Sequence, residues 1–431
     1  TLRKFVIPIL LGMFLLILAA CGGDGDESVP QASTGTGATV GEGESFEFQL
    51  AWISRNTDAF RLSEEWADRI REKSNGRLDI QLTSYPELGI SGPDTLRLMG
   101  DGTLELTELY SGYIGGDLPF ADMNNLWGMY DSIDTQLLAI AAVREDIAKV
   151  VDEHNGVIIS YGFYPNNYIF LKKPLDSLAD FKGMKTRTHS VVLGDLLSGL
   201  GANGQFLAFS EVYTALERGV MDAAITVLDA GYGQKWYEVT DYMTGPIVAL
   251  AQTWVTMNKD TFNELPPDLQ QLLLEEGKWR EKENLKRTIE GTEKNIQLNV
   301  DAGLELRDWP DEVKPIPKET AINIILPNWV ERTGGADSEA VKIFNEKVAP
   351  IIRVRVKADG TAEGILRDRL WVNAPAGPTS LDEVFGPAAE TCLQNRNTSL
   401  EFPRSHGRAL TSSPVRDVIP LLNLPADRRV F

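Results

Sequence analysis

The stretch FEFQLAWISRNTDAFRLSEEWADRIREKSNGRLDIQL, residues 46–82, decides the fold class. Residues 46–52 alternate apolar and polar side chains as a strand does, and residues 60–73 then carry apolar side chains at helical spacing. Asn75-Gly76 ends the helical pattern, and residues 78–82 alternate again. A strand, a helix and a second strand in that order predict a βαβ unit, so we expect a mainly parallel, doubly wound α/β sheet.

The same alternation continues outward in two blocks. They predict lobe I at about 46–167 plus part of 252–358, and lobe II at about 168–251 plus the remainder. Pro266-Pro267-Asp268 is typical of a helix start, because proline is tolerated in the first turn. Apolar residues then recur at helical spacing to about residue 300, and a helix of roughly 34 residues would be about 50 Å long. We therefore expect one long helix to run across both lobes.

The N-terminal residues predict the compartment. Arg3 and Lys4 precede an apolar run over 5–20, which is short for a membrane-spanning helix of roughly 20 residues and is typical of a cleavable signal. Leu18-Ala19-Ala20-Cys21 resembles the bacterial lipobox, so residues 1–20 are expected to be removed and Cys21 to carry the acyl chains. An ordinary signal peptide with an incidental cysteine is the alternative. Residues 21–45, rich in small and polar side chains, predict a flexible tether.

The net charge limits the classes of binding partner, and the cysteine content limits the disulfides that the chain can form. A formal net charge of −20 argues against nucleic acid and anionic lipid surfaces. Cys392 is the other cysteine, so lipidation of Cys21 would leave no intramolecular disulfide.

Residues 359–431 contain arginine but no lysine, and Pro and Gly interrupt them without clear periodicity. They predict an irregular, disordered tail, although a frameshifted or read-through terminus would look the same.

The chain lacks the motifs of common catalytic and metal sites. His154, His189 and His406 have no metal-like partner at short spacing. The sequence also lacks a nucleophile elbow, a P-loop, and a dinucleotide-binding glycine motif after a strand. We therefore expect a binding protein with no cofactor and no metal, rather than an enzyme.

Several segments share their order and spacing with one family. DFKGMKTR at 180–187 and FSEVYTALE at 209–217 are similar to the "DLKGLKIR" and "FSEVYxALQ" segments of the DctP (dicarboxylate-binding) family of TRAP (tripartite ATP-independent periplasmic) transporter solute receptors. Weaker matches in family order are residues 75–77, 88–89, 219–222, 237–239 and 263–270. The resemblance covers residues 46 to about 358. It implies a two-lobed, periplasmic-binding-protein-like fold with the ligand in the cleft between lobes.

The resemblance also implies site residues. Arg187 matches the family arginine that bridges the ligand carboxylate, and a guanidinium meets a carboxylate through two parallel hydrogen bonds. Phe209 matches the aromatic residue that packs on the ligand body. If neither residue contacts a ligand, Arg187 would be an ordinary surface arginine and Phe209 an ordinary phenylalanine of the core.

The chain departs from the family at positions that affect the ligand. Asn167 falls where a second family arginine can contact acids, and Thr226 falls where asparagine often contacts the ligand. Tyr110, Trp52 and Trp254 are the further aromatic residues that we expect near the cleft, although each could be ordinary packing. One strong anion anchor with more aromatic surface favours a monocarboxylate with an apolar or aromatic body.

The function implied is capture of a small organic acid outside the cytoplasm by a lipid-anchored receptor. Delivery would then follow to the membrane subunits of a TRAP permease, which uses an ion gradient. Two alternatives stay open. One is a receptor of the same fold that serves a sensor kinase or another type of permease, and the other is a secreted lipoprotein enzyme.

Overall fold

The structure is a computed structural model that describes residues 43–247 and 249–364. In these ranges the strands are β1 Phe46–Trp52, β2 Leu78–Ser84, β3 Leu106–Tyr110, β4 Gly156–Tyr164, β5 Asn167–Leu171, β6 Lys185–Thr188, β7 Asn203–Phe206, β8 Ala223–Val227, β9 Tyr242–Ile247, β10 Ala251–Asn258, β11 Glu305–Arg307, β12 Val354–Val356 and β13 Ala362–Gly364.

The α-helices of the same ranges are α1 Asp58–Lys73, α2 Tyr85–Leu88, α3 Thr95–Gly100, α4 Ser111–Ile114, α5 Ile133–Ala142, α6 Arg144–Glu153, α7 Val191–Gly199, α8 Val212–Glu217, α9 Leu228–Gly233, α10 Lys259–Glu264, α11 Pro267–Asp301, α12 Ile316–Thr320, α13 Leu326–Arg332, α14 Glu339–Ile343 and α15 Ala349–Ile352. Two π-helical turns, Ala321–Ile325 and Phe344–Val348, join α12 to α13 and α14 to α15. Of the described helices, none is both long and apolar enough to cross a membrane.

Two sheets form the centres of two lobes. The sheet of lobe I has the order β2-β1-β3-β10-β4, and the sheet of lobe II has the order β11-β9-β5-β8-β6-β7. The first βαβ unit is β1, α1 and β2, and its two strands pair in parallel over their whole length. Thr57 caps α1, since its hydroxyl accepts a hydrogen bond from the Phe60 N–H at 3.1 Å. The predicted two-lobed α/β architecture is confirmed.

The chain crosses between the lobes at two strand pairs. Strand β4 of lobe I continues after two residues as β5 of lobe II, and β9 of lobe II leads into β10 of lobe I. In each sheet one crossing strand, β10 in lobe I and β5 in lobe II, runs antiparallel to its neighbours. The sheets are therefore mixed, because a chain that enters a sheet from the other lobe arrives from the opposite end.

The long helix α11 begins one residue later and ends one residue later than the predicted 266–300. It packs on β4 and α1 in lobe I and reaches α9 and β11 of lobe II. Gly277 allows this close packing, because a Cβ there would lie 1.9 Å from the carbonyl oxygen of Ile159 on β4. The helix therefore contacts both lobes, as predicted.

The C-terminal boundary differs from the expectation. Strand β13 pairs antiparallel with β12, so the predicted irregular tail does not begin at residue 359. Asp359 accepts hydrogen bonds from the N–H and hydroxyl of Thr361 in the connecting turn, at 3.0 and 2.6 Å. Short-range turn chemistry thus extends the folded body to residue 364. The predicted signal peptide, Cys21, most of the tether and residues 365–431 lie outside the described residues.

Candidate ligand-binding site

A cavity lies at the crossing between the lobes, with an empty volume of about 420 Å³ that includes its open mouth. Ligand sites commonly occupy such a position and size. Lobe I and the start of β10 contribute Ile53, Thr57, Tyr110, Tyr113, Tyr164 and Ala251. Lobe II contributes Asn167, Arg187, His189, Phe209, Thr226, Val227 and Ala230.

Arg187 supplies the positive charge of the cavity. It lies on β6 with its side chain buried, and it donates hydrogen bonds to two main-chain carbonyl oxygens, those of Leu207 at 3.0 Å and Ile225 at 2.8 Å. Its guanidinium carbon lies 5.8 Å from the ring centre of Phe209. Burial lowers the pKa of Arg187 from its usual value, and the nearby phenol of Tyr113 opposes that shift.

Within the described residues, no acidic side chain forms an ion pair with Arg187. Its partners are neutral, namely two carbonyl oxygens and the hydroxyl of Tyr113. A guanidinium has five N–H donors and stays protonated, so the two carbonyl contacts leave donors available. A buried cation in this state is best stabilised by an anion that enters the cavity.

A chain of hydrogen bonds joins the lobes across the cavity. The Tyr110 hydroxyl of lobe I lies 2.8 Å from Nδ1 of His189, and Nε2 of His189 lies 3.1 Å from Oδ1 of Asn167. Burial, with the charge of Arg187 as a second cause, lowers the pKa of His189 well below its usual value. The imidazole is therefore neutral at physiological pH, so Arg187 is the cation among the lining residues.

A second polar network lies behind the wall of lobe I. The buried carboxylate of Glu108 accepts hydrogen bonds from the hydroxyls of Tyr164 and Thr253, both at 2.7 Å, and from the Ile53 N–H at 3.2 Å. Burial raises the pKa of Glu108 to about 7, although these donors and the charge of Arg280 oppose the shift. Glu108 thus holds Tyr164 in the wall but does not line the cavity itself.

The comparisons with known proteins agree with this geometry. The family model of bacterial extracellular solute-binding protein, family 7 (DctP), matches residues 51–325. The chain belongs to this DctP family. The members of this family are solute-binding receptors, and the match confirms the family resemblance of the sequence.

Individual DctP proteins are similar over most of their length. The C4-dicarboxylate-binding periplasmic protein DctP of Vibrio cholerae is 26% identical over 297 residues, which cover 65% of this chain and 84% of the relative. The crystal structure of DctP7 of Bordetella pertussis, a receptor that binds pyroglutamic acid, has a TM-score of 0.65 at 20% identity and covers 72% of this chain and 100% of that chain. A TRAP solute-binding protein of Chromohalobacter salexigens with bound D-glucuronate has a TM-score of 0.63 at 21% identity, with 71% and 99% covered. The two structures show the fold.

The structure brings five of the seven predicted ligand residues to one cavity. Arg187, Phe209, Asn167, Thr226 and Tyr110 all line it. Their contact with a ligand remains a prediction.

Two predicted aromatic residues lie elsewhere. Trp52 is buried beside α11, where the Arg280 guanidinium lies 5.0 Å from its ring centre. Trp254 is buried on β10, and its neighbour Thr253 faces Glu108. Because successive residues of a strand point to opposite faces, Trp254 faces away from that network. Neither tryptophan lines the cavity in this structure.

Sequence reasoning missed His189, Tyr113 and Tyr164 as site residues. His189 could have been found, because it lies two residues after Arg187 and a strand places such residues on the same face. Tyr113 and Tyr164 approach the cavity from lobe I, and no spacing along the chain indicates that they do. Across residues 43–247 and 249–364, no group of three or more His, Cys, Asp or Glu side chains is arranged to hold a metal ion.

Proposed function

We propose that this chain is the receptor of a TRAP-type transporter, which captures a small organic monocarboxylate outside the cytoplasm through an ion pair with Arg187. The observation that carries this proposal is the environment of Arg187. It is a buried guanidinium that lines the cavity and has neutral partners within the described residues. A carboxylate would supply the missing charge and accept two parallel hydrogen bonds.

The charges of the wall favour one carboxylate rather than two. Arg187 is the cation among the lining residues, because His189 is neutral and Asn167 stands where the family resemblance implies a second arginine. A second carboxylate would enter this buried site without a counter-charge, which is costly. The related Vibrio protein is named for C4-dicarboxylates, so the proposed ligand differs from that relative's.

The rest of the wall favours an apolar or aromatic ligand body. The rings of Tyr113, Tyr164 and Phe209 line the cavity beside small side chains such as Ala230 and Ala251.

Pyroglutamic acid and D-glucuronate, bound by the two related structures, each carry a single carboxylate. These ligands support an acid with one carboxylate as the ligand class.

Delivery and anchoring complete the proposal. The loaded receptor would dock on the membrane subunits of a permease that uses an ion gradient, and acyl chains on Cys21 would hold it at the membrane. In that case Cys21→Ser should move the mature protein into the soluble fraction. Membrane retention of this variant would count against the lipid anchor.

The carboxylate bridge is tested by a thermal-shift screen of small carboxylic acids against four proteins. These are the wild type, Arg187→Ala, Arg187→Lys and Arg218→Ala, in which an exposed arginine of the same lobe is removed as a control. Acids that stabilise the wild type should stabilise Arg218→Ala equally and Arg187→Ala hardly at all. Arg187→Lys should recover part of the shift, because lysine keeps the charge but loses the planar fork.

Two outcomes would contradict this function. If no carboxylic acid stabilises the wild type, the ligand class is wrong. If Arg187→Ala responds to the same acids as the wild type, the anchor lies elsewhere in the cavity.

A further inference from the structure

Asn167 has a side-chain amide nitrogen that donates to none of the described residues. The side chain is buried in the cavity wall, and its Oδ1 lies 3.1 Å from Nε2 of His189. Its Nδ2 has no hydrogen-bond partner among the described residues. A buried donor without a partner costs about 1–3 kcal/mol, so the site gains when something in the cavity accepts from it.

The neighbours of Asn167 decide which end of the amide bonds to His189 and which end is left without a partner among them. With Nδ1 of His189 as the acceptor, the Tyr110 hydroxyl donates to it, and Nε2–H then donates to Oδ1 of Asn167. This assignment gives a partner to the Tyr110 hydroxyl and to the Nε2–H of His189, and it leaves Nδ2 of Asn167 without one. The reverse assignment would leave both the Tyr110 proton and Oδ1 of Asn167 without a use, so it satisfies fewer polar atoms.

The position of Asn167 is fixed by the backbone. It is the first residue of β5, paired with Val227 of β8 on one side and Ile247 of β9 on the other. These backbone pairs place Asn167 in the wall, and the contact with His189 orients its side-chain amide there.

We propose that Asn167 selects acids that carry an uncharged acceptor oxygen in addition to their carboxylate. Such an oxygen is a keto, hydroxyl or amide carbonyl group. The proposal rests on the proposed function, since Arg187 holds the carboxylate while Nδ2 of Asn167 donates to the second oxygen. A neutral amide meets a neutral acceptor without leaving a charge unpaired, whereas a second carboxylate would lack a cation. The ligand class narrows from monocarboxylates in general to oxo, hydroxy and cyclic-amide acids.

The test compares acids that differ by this oxygen. Isothermal titration would measure dissociation constants for phenylpropionate, phenyllactate and phenylpyruvate, and for cyclopentanecarboxylate and pyroglutamate. The proteins are the wild type, Asn167→Leu, Asn167→Ala and the control Asn263→Leu, which changes an exposed asparagine far along the chain. Asn167→Ala is included in case the leucine variant does not fold, and circular dichroism would check each protein.

In the wild type and in Asn263→Leu, the best oxygen-bearing acid of a matched set should bind on the order of 10- to 100-fold more tightly than the acid without the oxygen. In both Asn167 variants this preference should fall to about 3-fold or less, because the donor is gone. In each Asn167 variant the affinity for the oxygen-bearing acid should therefore fall by more than the affinity for the matched acid without the oxygen.

His189 is a positioning residue in this scheme, and it has a separate readout. His189→Phe should lower the preference for the oxygen-bearing acid, because it should weaken that acid more than the matched acid without the oxygen. A general structural defect would instead weaken both acids together.

Failure of this inference can be told apart from failure of the proposed function. If acids bind through Arg187 but the extra oxygen gives no advantage, or the advantage survives both Asn167 variants, then Asn167 does not select it. If the Asn167 variants weaken both members of a matched set equally, Nδ2 donates to the carboxylate, and the inference is again wrong. If no acid binds the wild type, the proposed function fails first.

Discussion

Among the described residues, Arg187 in the cavity wall and Arg280 on the long helix are almost fully buried, at 1% and 0% exposure. Each lies over an aromatic ring, at 5.8 Å from Phe209 and 5.0 Å from Trp52. They differ in what surrounds the charge. Arg280 bonds to serine hydroxyls and has the carboxyl group of Glu108 nearby, which opposes the lowering of its pKa to about 10 by burial.

The difference separates a structural cation, Arg280, from the one that we propose binds the ligand, Arg187. Ser63 of α1 and Ser160 of β4 both accept from Arg280, so this side chain joins the long helix to two elements of lobe I. Arg187 bonds to carbonyl oxygens within lobe II and meets no carboxylate in the described residues. Burial of a cation by itself therefore does not mark a ligand site. The proposed site at Arg187 rests on burial together with the absence of an anionic partner among the described residues.

The largest expected effect is on the free energy of unfolding, and it should distinguish Arg280 from Arg187. Arg280→Met should lower the free energy of unfolding by about 3–5 kcal/mol near pH 8. At that pH Glu108 is largely ionised in the wild type, and the variant removes its compensating charge. Arg187→Met should cost less than about 1 kcal/mol without ligand, since removal of an uncompensated cation offsets two lost hydrogen bonds. Urea unfolding of both variants measures this. Equal losses would mean that the two arginines have the same role.

A smaller expected effect is the change of folding stability with pH. Burial raises the pKa of Glu108 from 4.5 to about 7, and burial likewise raises the pKa of Asp122 to about 7 and of Asp229 to about 6. Between the ordinary and the raised pKa the folded protein holds a proton that the unfolded chain has lost. The contribution of each group to stability is therefore complete below its ordinary pKa and falls as pH rises towards its raised pKa.

Glu108→Gln should remove the share of Glu108 from this pH dependence. The free energy of unfolding of the wild type should fall between about pH 4.5 and 7, and the variant should show a fall smaller by about 1–3 kcal/mol. Urea titrations across that range measure the difference, with the exposed Glu145→Gln as control. An unchanged slope in Glu108→Gln would show that Glu108 titrates normally.

The smallest expected effect is on ligand affinity, and it concerns the hydrogen bond that joins the two lobes at the cavity. Tyr110→Phe removes the hydroxyl that reaches from lobe I to His189 of lobe II, so ligand affinity should fall by about 0.5–1.5 kcal/mol, or about 2- to 10-fold. The control is Tyr213→Phe, which removes a phenol bond to Glu238 inside lobe II. Titration calorimetry should show a loss for the first variant alone. A similar loss in both would mean that the cross-lobe bond has no special part in binding.

Local patterns in the sequence predicted the elements well but not how they are combined. The long helix was placed within one residue at each end, because its proline start and apolar spacing are local signals. The antiparallel strands β5 and β10 were missed, because strand direction depends on the lobe from which the chain arrives.

The site shows the same limit. Arg187 and Phe209 were found through segments that resemble a family, and Asn167 and Thr226 through departures from it. Trp52 was expected at the cleft because it ends the first strand, but its ring lies against Arg280, more than 200 residues later in the chain. Tyr113 and Tyr164 come to the cavity through packing of the lobes, which no local pattern encodes.

The central claim is that Arg187 is held without an internal anion so that a ligand carboxylate can supply it. The most direct measurement is a double-mutant cycle, by titration calorimetry, between Arg187 and the carboxylate of the best-binding acid. The acid and its primary amide are titrated into the wild type and into Arg187→Met. The wild type should bind the acid about 30-fold to several-thousand-fold more tightly than the amide, equivalent to about 2–5 kcal/mol, and Arg187→Met should lose most of that preference. If Arg187→Met keeps the full preference for the acid, the carboxylate is bound by another group and the claim is wrong.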